Sequence, residues 1–215
     1  MSITLFGHDG SGSAAIEAAL LLAGLPYRLV PAASWVDDLA LADLRQANPL
    51  QQIPTLVWPD GTVMTESAAI LIELGLRQPH SGLLPAETAA RAQALRGLVY
   101  IAANCYAMIG VIDYPSRVID APTDAELARI DASCRARLHA LWDVFADQWV
   151  PPDDAPFYGG TAPGALDLLA SVVSRWSGTR GHLAASRPAL SALFGRVQAH
   201  PVLAPVFNRH WPPAP

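Results

Sequence analysis

Lysine is missing from this 215-residue chain: all 14 basic side chains are arginines, scattered rather than clustered. With no basic patch and a formal net charge of −5, the sequence lacks the electrostatic footprint of a nucleic-acid surface, and no nucleic-acid partner is expected. Cysteine is nearly missing too. Cys105 and Cys134 are too few for a disulfide framework, and there is no CxxC, HExxH or other close Cys/His spacing. The six histidines, at 8, 80, 139, 182, 200 and 210, form no close pair. These scarcities predict a reduced, cytoplasmic protein without a structural metal. Long apolar runs are also lacking. AIEAALLLAGL carries Glu17 and ends at Pro26, too short to span a bilayer. MSITLFG has no basic region of the kind a signal peptide needs, so no membrane association is expected. Charged residues make up only 15% of the chain against 52% hydrophobic, which excludes a disordered chain and leaves material for a sizeable core.

Periodicity and punctuation divide the chain into two textures. ITLFG (3–7) alternates and predicts a strand. After the loop HDGSGS, a helix opens at Ser13 and stops at Gly24 with Pro26 beyond. A strand is expected at 27–32 and a short helix at 38–47, ended by Asn48-Pro49. Strands follow at 54–58 and 62–64 around the turn Pro59-Asp60-Gly61, then a helix from Ser67 to Leu76. The order βαβαββα demands at least one parallel pairing, with the hairpin at a sheet edge. From about residue 87 the signals are helical. Leu95, Leu98, Val99, Ala102, Cys105 and Ile109 form one stripe, and Leu127, Ile130, Cys134, Leu138, Leu141 and Phe145 another. Thr123 and Glu126 have capping-box spacing. GALDLLASVVSRW and RPALSALFGRVQAH predict two further helices, and the tail WPPAP a loose end. The expected organisation is an α/β domain over 1–78, a linker over 79–86 and an all-α domain over 87–215.

The stretch QQIPTLVWPDGTVMTES (51–67) is the most specific. Pro54 opens a strand but has no N–H to give a neighbour. A cis Ile53-Pro54 bond, an isomer found in roughly one in twenty X-Pro bonds, would turn the Ile53 N–H and C=O outward together. Such a pair can hold an extended peptide in antiparallel β fashion. The hairpin then delivers Glu66-Ser67 to a helix start, where free N–H groups and the helix dipole favour an anion, Ser67 adds a donor and Glu66 can hold a cation. An anion site beside a cation site matches the head group of an amino acid, and with the backbone grip it matches a short peptide. An isolated Glu-Ser pair would more often be a solvated carboxylate and a cap; the surrounding proline and hairpin favour the ligand reading.

The βαβαββα order, the NPxxQIPTL…DGTVMTES run and the helical second half together resemble the glutathione S-transferase family over essentially the whole chain. The resemblance implies a thioredoxin-like N-terminal domain followed by an all-helical domain, with glutathione as co-substrate. It implies a cis Pro54, Ile53 on the cysteinyl backbone, Glu66 and Ser67 on the γ-glutamyl head and Gln52 at the glycyl end. It also implies a homodimer, the small domain of each subunit against the helical domain of its partner.

The thiol of glutathione must ionise to react, and a free thiol has a pKa of about 8.5. In the family a tyrosine on the first strand, or a serine or cysteine in the loop after it, stabilises the thiolate. Here the strand offers only Phe6 and the loop has no cysteine, its usual place falling on Gly12. Ser11 and Ser13 are the candidate catalytic residues. Ser11 is nearer the family position, whereas Ser13 matches a helix cap, and the glycine-flanked loop can alternatively present backbone N–H groups. His8 is a further polar group nearby. A small electrophile would sit between the domains, against Cys105, Tyr106, Met108, Tyr114 and Arg117. Asp167 matches a buried capping aspartate of the family; Gly164 replaces its usual Ser/Thr partner, which leaves Thr161 as a candidate cap. The expected function is conjugation of glutathione to small electrophiles, as in detoxification. The alternatives are a glutathione-dependent isomerase or peroxidase, or a non-catalytic module of this fold. A Ser-Ser-Cys loop would mark the isomerase, and positions 10–12 read Gly-Ser-Gly.

Overall fold

The alternating ITLFG run forms β1 (Ile3–Gly7) in the computed structural model, which describes residues 2–36, 41–151 and 155–212. Next comes α1 (Ser13–Leu22), apolar all round apart from Ser13 and Glu17, and its first eight residues are all buried. Gly24, at φ 64°, turns the chain into β2 (Tyr27–Pro31), which pairs parallel with β1. Helix α2 is described over Leu41–Ala47; the expected first turn at 38–40 lies outside the described residues. Strands β3 (Thr55–Val57) and β4 (Val63–Met64) form the expected hairpin, and α3 (Ser67–Arg77) follows. Its turn closes through Gly61 N–H to the Trp58 carbonyl (2.9 Å) and Thr62 N–H to Asp60 Oδ1 (2.8 Å). The sheet order is β2-β1-β3-β4, with β3 antiparallel to both neighbours. This is the thioredoxin-like N-terminal domain, and an all-helical domain follows it. Among the described residues the only later β pairing is the isolated Phe157–Gly160 bridge.

Helical structure runs without a break from Thr88 to Asp113: α4 (Thr88–Tyr100), a π-helical stretch (Ile101–Tyr106) and α5 (Ala107–Asp113). By length and composition this run is apolar enough to cross a membrane, yet Leu98, Ile101, Cys105 and Ile109 are buried in the protein core. The expected stripe is displaced. Val99 is 55% exposed, and the buried line instead runs Ala94, Leu98, Ile101, Cys105, Ile109. That line keeps ordinary helical spacing, and Leu95, Val99 and Ala102 each fall one residue, about 100° of rotation, beyond it. The long α6 (Asp124–Gln148) carries the Thr123/Glu126 capping box, and Leu138, Leu141 and Phe145 of its predicted stripe are buried. All nine residues of α7 (Ala165–Val173) are buried, against α1, α3 and α4. Beyond it lie α8 (Thr179–Ser186), α9 (Pro188–Ala199) and α10 (Ala204–His210). Helices α8 and α10 were not foreseen; both are short, and α10 packs on α1. One continuous hydrophobic core joins Leu5, Ile16 and Leu71 of the first half to Leu98, Trp142 and Val172 of the second.

Candidate functional site

A cavity of about 550 Å³ lies between the sheet domain and the helices. One wall is made by the loop after β1 (Asp9–Gly12), by Asn48, Gln52, Ile53 and Pro54, and by the start of α3 (Thr65–Ala68). The other comes from the π stretch and α5, with Tyr114, Arg117 and Trp176.

The first wall is built largely from backbone. The Ile53-Pro54 bond is cis. Among the described residues, neither the N–H nor the C=O of Ile53 has a hydrogen-bond partner. Asn48 holds the segment from behind, giving Nδ2–H to the Gln52 carbonyl and to Thr55 Oγ1 (both 3.1 Å) and accepting Leu50 N–H (3.0 Å). Beyond the hairpin, Glu66 sits at φ 63°, ψ 110°, a backbone conformation costing roughly 1–3 kcal/mol for a residue with a Cβ. It does not cap α3. The N–H groups of Ser67, Ala68 and Ala69 have no acceptor among the described residues, and the buried Ser67 hydroxyl none either. The site therefore combines an open helix start, a hydroxyl and a carboxylate, which suits a group carrying both charges.

The loop after β1 is held by two serines. Ser11 Oγ accepts Ser13 N–H (3.2 Å) and lies 2.9 Å from Ser13 Oγ; that hydroxyl in turn donates to the His8 carbonyl and accepts His8 N–H (both 3.3 Å). Gly7 makes room for this, since a Cβ there would meet Ser13 Cβ and Oγ at 2.6 Å. From the far end of the chain, His210 Nδ1 accepts Gly10 N–H (3.1 Å), while its Nε2 lies 2.7 Å from Glu17 Oε1. Arg209 also bonds to Glu17, and Tyr27 donates to it (3.1 Å). Burial alone would raise the Glu17 carboxyl, but the bond and charge of His210, then Arg209, together outweigh it and hold Glu17 below the usual carboxylate range. On the opposite wall the Tyr106 and Trp176 rings stack (centroids 5.7 Å apart, 21°), and the Arg117 guanidinium lies 3.9 Å over the Tyr114 ring. Arg117 is the sole cation among the described lining residues, facing Asp9, Glu66 and Asp113. Burial raises the Asp113 carboxyl above its usual range against the pull of Arg135.

Residues 13–76 match the family model for the glutathione S-transferase N-terminal domain. Over that stretch the chain carries a glutathione S-transferase N-terminal domain. It is 37% identical over 122 residues to the uncharacterised GST-like protein YncG of Escherichia coli K12; the match spans 56% of this chain and 59% of that relative's length. Two solved structures share the fold along nearly the whole chain. A glutathione transferase homologue from Sulfitobacter, with bound glutathione, superposes with a TM-score of 0.80 at 24% identity, covering 95% of this chain and 96% of that one. A sphingomonad glutathione S-transferase complexed with glutathione gives 0.74 at 23%, covering 98% and 100%. At such identities the likeness is one of fold.

Of the residues singled out from the sequence, Ser11, Gln52, Ile53, Pro54, Glu66, Ser67, Tyr106, Tyr114 and Arg117 line the cavity. Ser13, Cys105 and Met108 are not on its wall. Ser13 is the first residue of α1 rather than its cap, which is Gly12, and its hydroxyl is turned back to His8. Cys105 precedes Tyr106 on a helical surface and so faces the core; burial pushes its thiol up to about 12. Met108 packs against that core. Thr161 is exposed and caps nothing. Asp167 instead accepts Gly164, Gly159 and Tyr158 N–H (each 2.9 Å), and burial, opposed by these bonds, raises its carboxyl to about 6. Sequence reasoning missed Trp35, Asp113 and Trp176 as lining residues, and His210 as an anchor for the loop. None lies in a motif; only the fold brings them to the cavity.

Proposed function

We propose that this protein binds glutathione in the cavity and conjugates its thiolate to small electrophiles. One observation carries the reading: the unpartnered Ile53 backbone pair and the open α3 start with Ser67 and Glu66 lie on one wall, with the N-terminus of α1 beside them. An extended tripeptide pairing with Ile53 would set its γ-glutamyl carboxylate on the α3 N–H groups and the Ser67 hydroxyl, and its ammonium on Glu66. Its cysteinyl sulfur would then face α1 and its glycyl end Gln52. The helix dipole at α1 and the surrounding donors favour the thiolate. The sulfur lone pair then attacks an electrophile held against the aromatic wall, whose Arg117 suits an acceptor that gains negative charge. The protein would act as a cytoplasmic homodimer without metal; light scattering near twice the 22.8 kDa chain mass checks the assembly.

Calorimetry with glutathione tests the binding, and a chlorodinitrobenzene assay the conjugation. Ser67→Ala with Glu66→Ala should abolish most affinity, because charge-assisted hydrogen bonds contribute about 1.5–3 kcal/mol each. Unchanged affinity in the double variant would overturn the head-group assignment. Binding without turnover of any electrophile would point to the non-catalytic reading.

A further inference from the structure

The loop that this fold uses to ionise the thiol has no free hydroxyl to offer. A serine hydroxyl carries one proton. Ser13 donates its proton to the His8 carbonyl while accepting His8 N–H, so the bond between the two serines takes the Ser11 proton, and Ser11 Oγ also accepts Ser13 N–H. Both serines thus tie the loop to α1.

A different hydroxyl reaches the same spot from the helical domain. Gly12, the N-cap of α1, has cis Pro54 on one side and Tyr106 on the other. A Cβ built on Gly12 would come 3.6 Å from Pro54 Cδ and would collide with the Tyr106 hydroxyl oxygen far inside van der Waals contact. The tyrosine oxygen thus occupies the space that a side chain at position 12 would fill. It has no hydrogen-bond partner among the described residues, and Tyr106 lines the cavity. Its ring is held by the Trp176 stack, and it leaves the helix at the last position of the π stretch, one residue beyond the core-facing Cys105. We propose that Tyr106 is the hydroxyl donor to the glutathione sulfur, with Gly12 kept bare to admit it. This rests on the glutathione reading above.

The thiol gives its proton to solvent. Tyr106 keeps its own and donates a hydrogen bond to the thiolate, whose lone pair forms the new bond to the electrophile; no bond to Tyr106 forms or breaks. The groups facing this hydroxyl are Glu66 from the start of α3, Asp113 and Tyr114 from the end of α5, and Asp9 and Arg117 across the cavity. Burial first, then the charges of Asp113 and Glu66, push the phenol up to about 12, so it stays a donor throughout the neutral range.

Tyr106→Phe keeps the ring and its stack and removes only the hydroxyl. The thiol pKa of bound glutathione, read from thiolate ultraviolet absorbance against pH, should rise by about one unit. That is about tenfold less thiolate below the midpoint, with kcat at neutral pH falling in step and calorimetric glutathione affinity nearly unchanged. Gly12→Ala should shift the titration the same way by displacing the phenol, and combining it with Tyr106→Phe should add little further, as expected for residues acting on one contact. Intact glutathione binding with an unshifted titration in Tyr106→Phe overturns this inference and leaves the binding reading standing. Failure of the unmodified protein to bind glutathione overturns both.

Discussion

Two kinds of helix start coexist in this protein. Where α4, α6 and α7 begin, away from the cavity, side chains close the free N–H groups. Glu87 accepts Ala89 and Ala90 N–H (2.8 and 2.6 Å), Thr123 and Glu126 form a reciprocal box, and Asp167 takes the cap N–H of Gly164 together with the Tyr158 and Gly159 N–H groups of the preceding loop. At α3, whose start faces the cavity, no side chain does this and the first turn contains no acid; α1 stands between the two, its first N–H groups taken by Ser11 Oγ and by the Ser11 and Gly12 carbonyls. Leaving orphan donors costs stability, so the same chemistry closes the helix end in one place and stays open on the cavity wall in the other. Helices α8, α9 and α10 also start without a side-chain cap, so an open start alone says little; α3 differs because its free N–H groups, the Ser67 hydroxyl and the Glu66 carboxylate meet on the cavity wall.

The comparison can be broken at its closed end first. Asp167→Ala would strand the buried Gly164 N–H, at about 1–3 kcal/mol, and free the less buried Tyr158 and Gly159 N–H groups, the largest loss expected, read as a fall in the urea midpoint. Glutathione affinity of the folded fraction should not change; a selective loss of affinity would mean that α7 serves the site. Next, His210→Ala removes the main partner of the buried Glu17 and the acceptor of Gly10 N–H, costing about 3 kcal/mol. The sign with pH follows from the lowered Glu17 value. Its contribution is complete above the ordinary value of 4.5 and is lost as pH falls through the folded value, so stability should drop on acidification, and less steeply in His210→Ala.

Smaller changes sharpen the open end. Glu66→Gly should raise the melting temperature by relieving the positive φ, worth about 1 kcal/mol, while weakening glutathione binding in calorimetry. A variant that gains stability without losing affinity would detach Glu66 from the ligand. Ser13→Ala should cost about 1 kcal/mol by untying His8 and leave the bound thiol titration nearly in place. Thr123→Ala, at an exposed closed start, should cost about 0.5–1 kcal/mol in thermal unfolding and nothing in affinity.

The first half was legible because its signals are local. Gly24, the Pro59-Asp60-Gly61 turn and Ser67 bound their elements within a few residues, and the β1, α1 and α3 boundaries fall close to the expected ones. The Ile53-Pro54 isomer and the open α3 start came from the same continuous stretch, residues 51–67. In the second half the long helices were visible through periodicity, but their phase was not. Leu95, Val99 and Ala102 each sit one residue beyond the buried positions 94, 98 and 101, so a stripe that counts them in is too wide. Helices α8 and α10 were missed because each is only seven or eight residues long, too short for a stripe to emerge.

By itself, then, the sequence determined the alternation of elements, the hairpin and the cavity wall around Ile53, Glu66 and Ser67, since backbone preference and turn chemistry act between near neighbours. Tertiary structure alone decided that Ser11 and Ser13 bind each other, that His210 anchors Gly10 across 200 positions, and that the Tyr106 hydroxyl stands over Gly12. Those choices depend on which face of a helix meets which loop. That is set by packing among residues distant in the chain, where a single extra residue in a turn redirects every side chain beyond it.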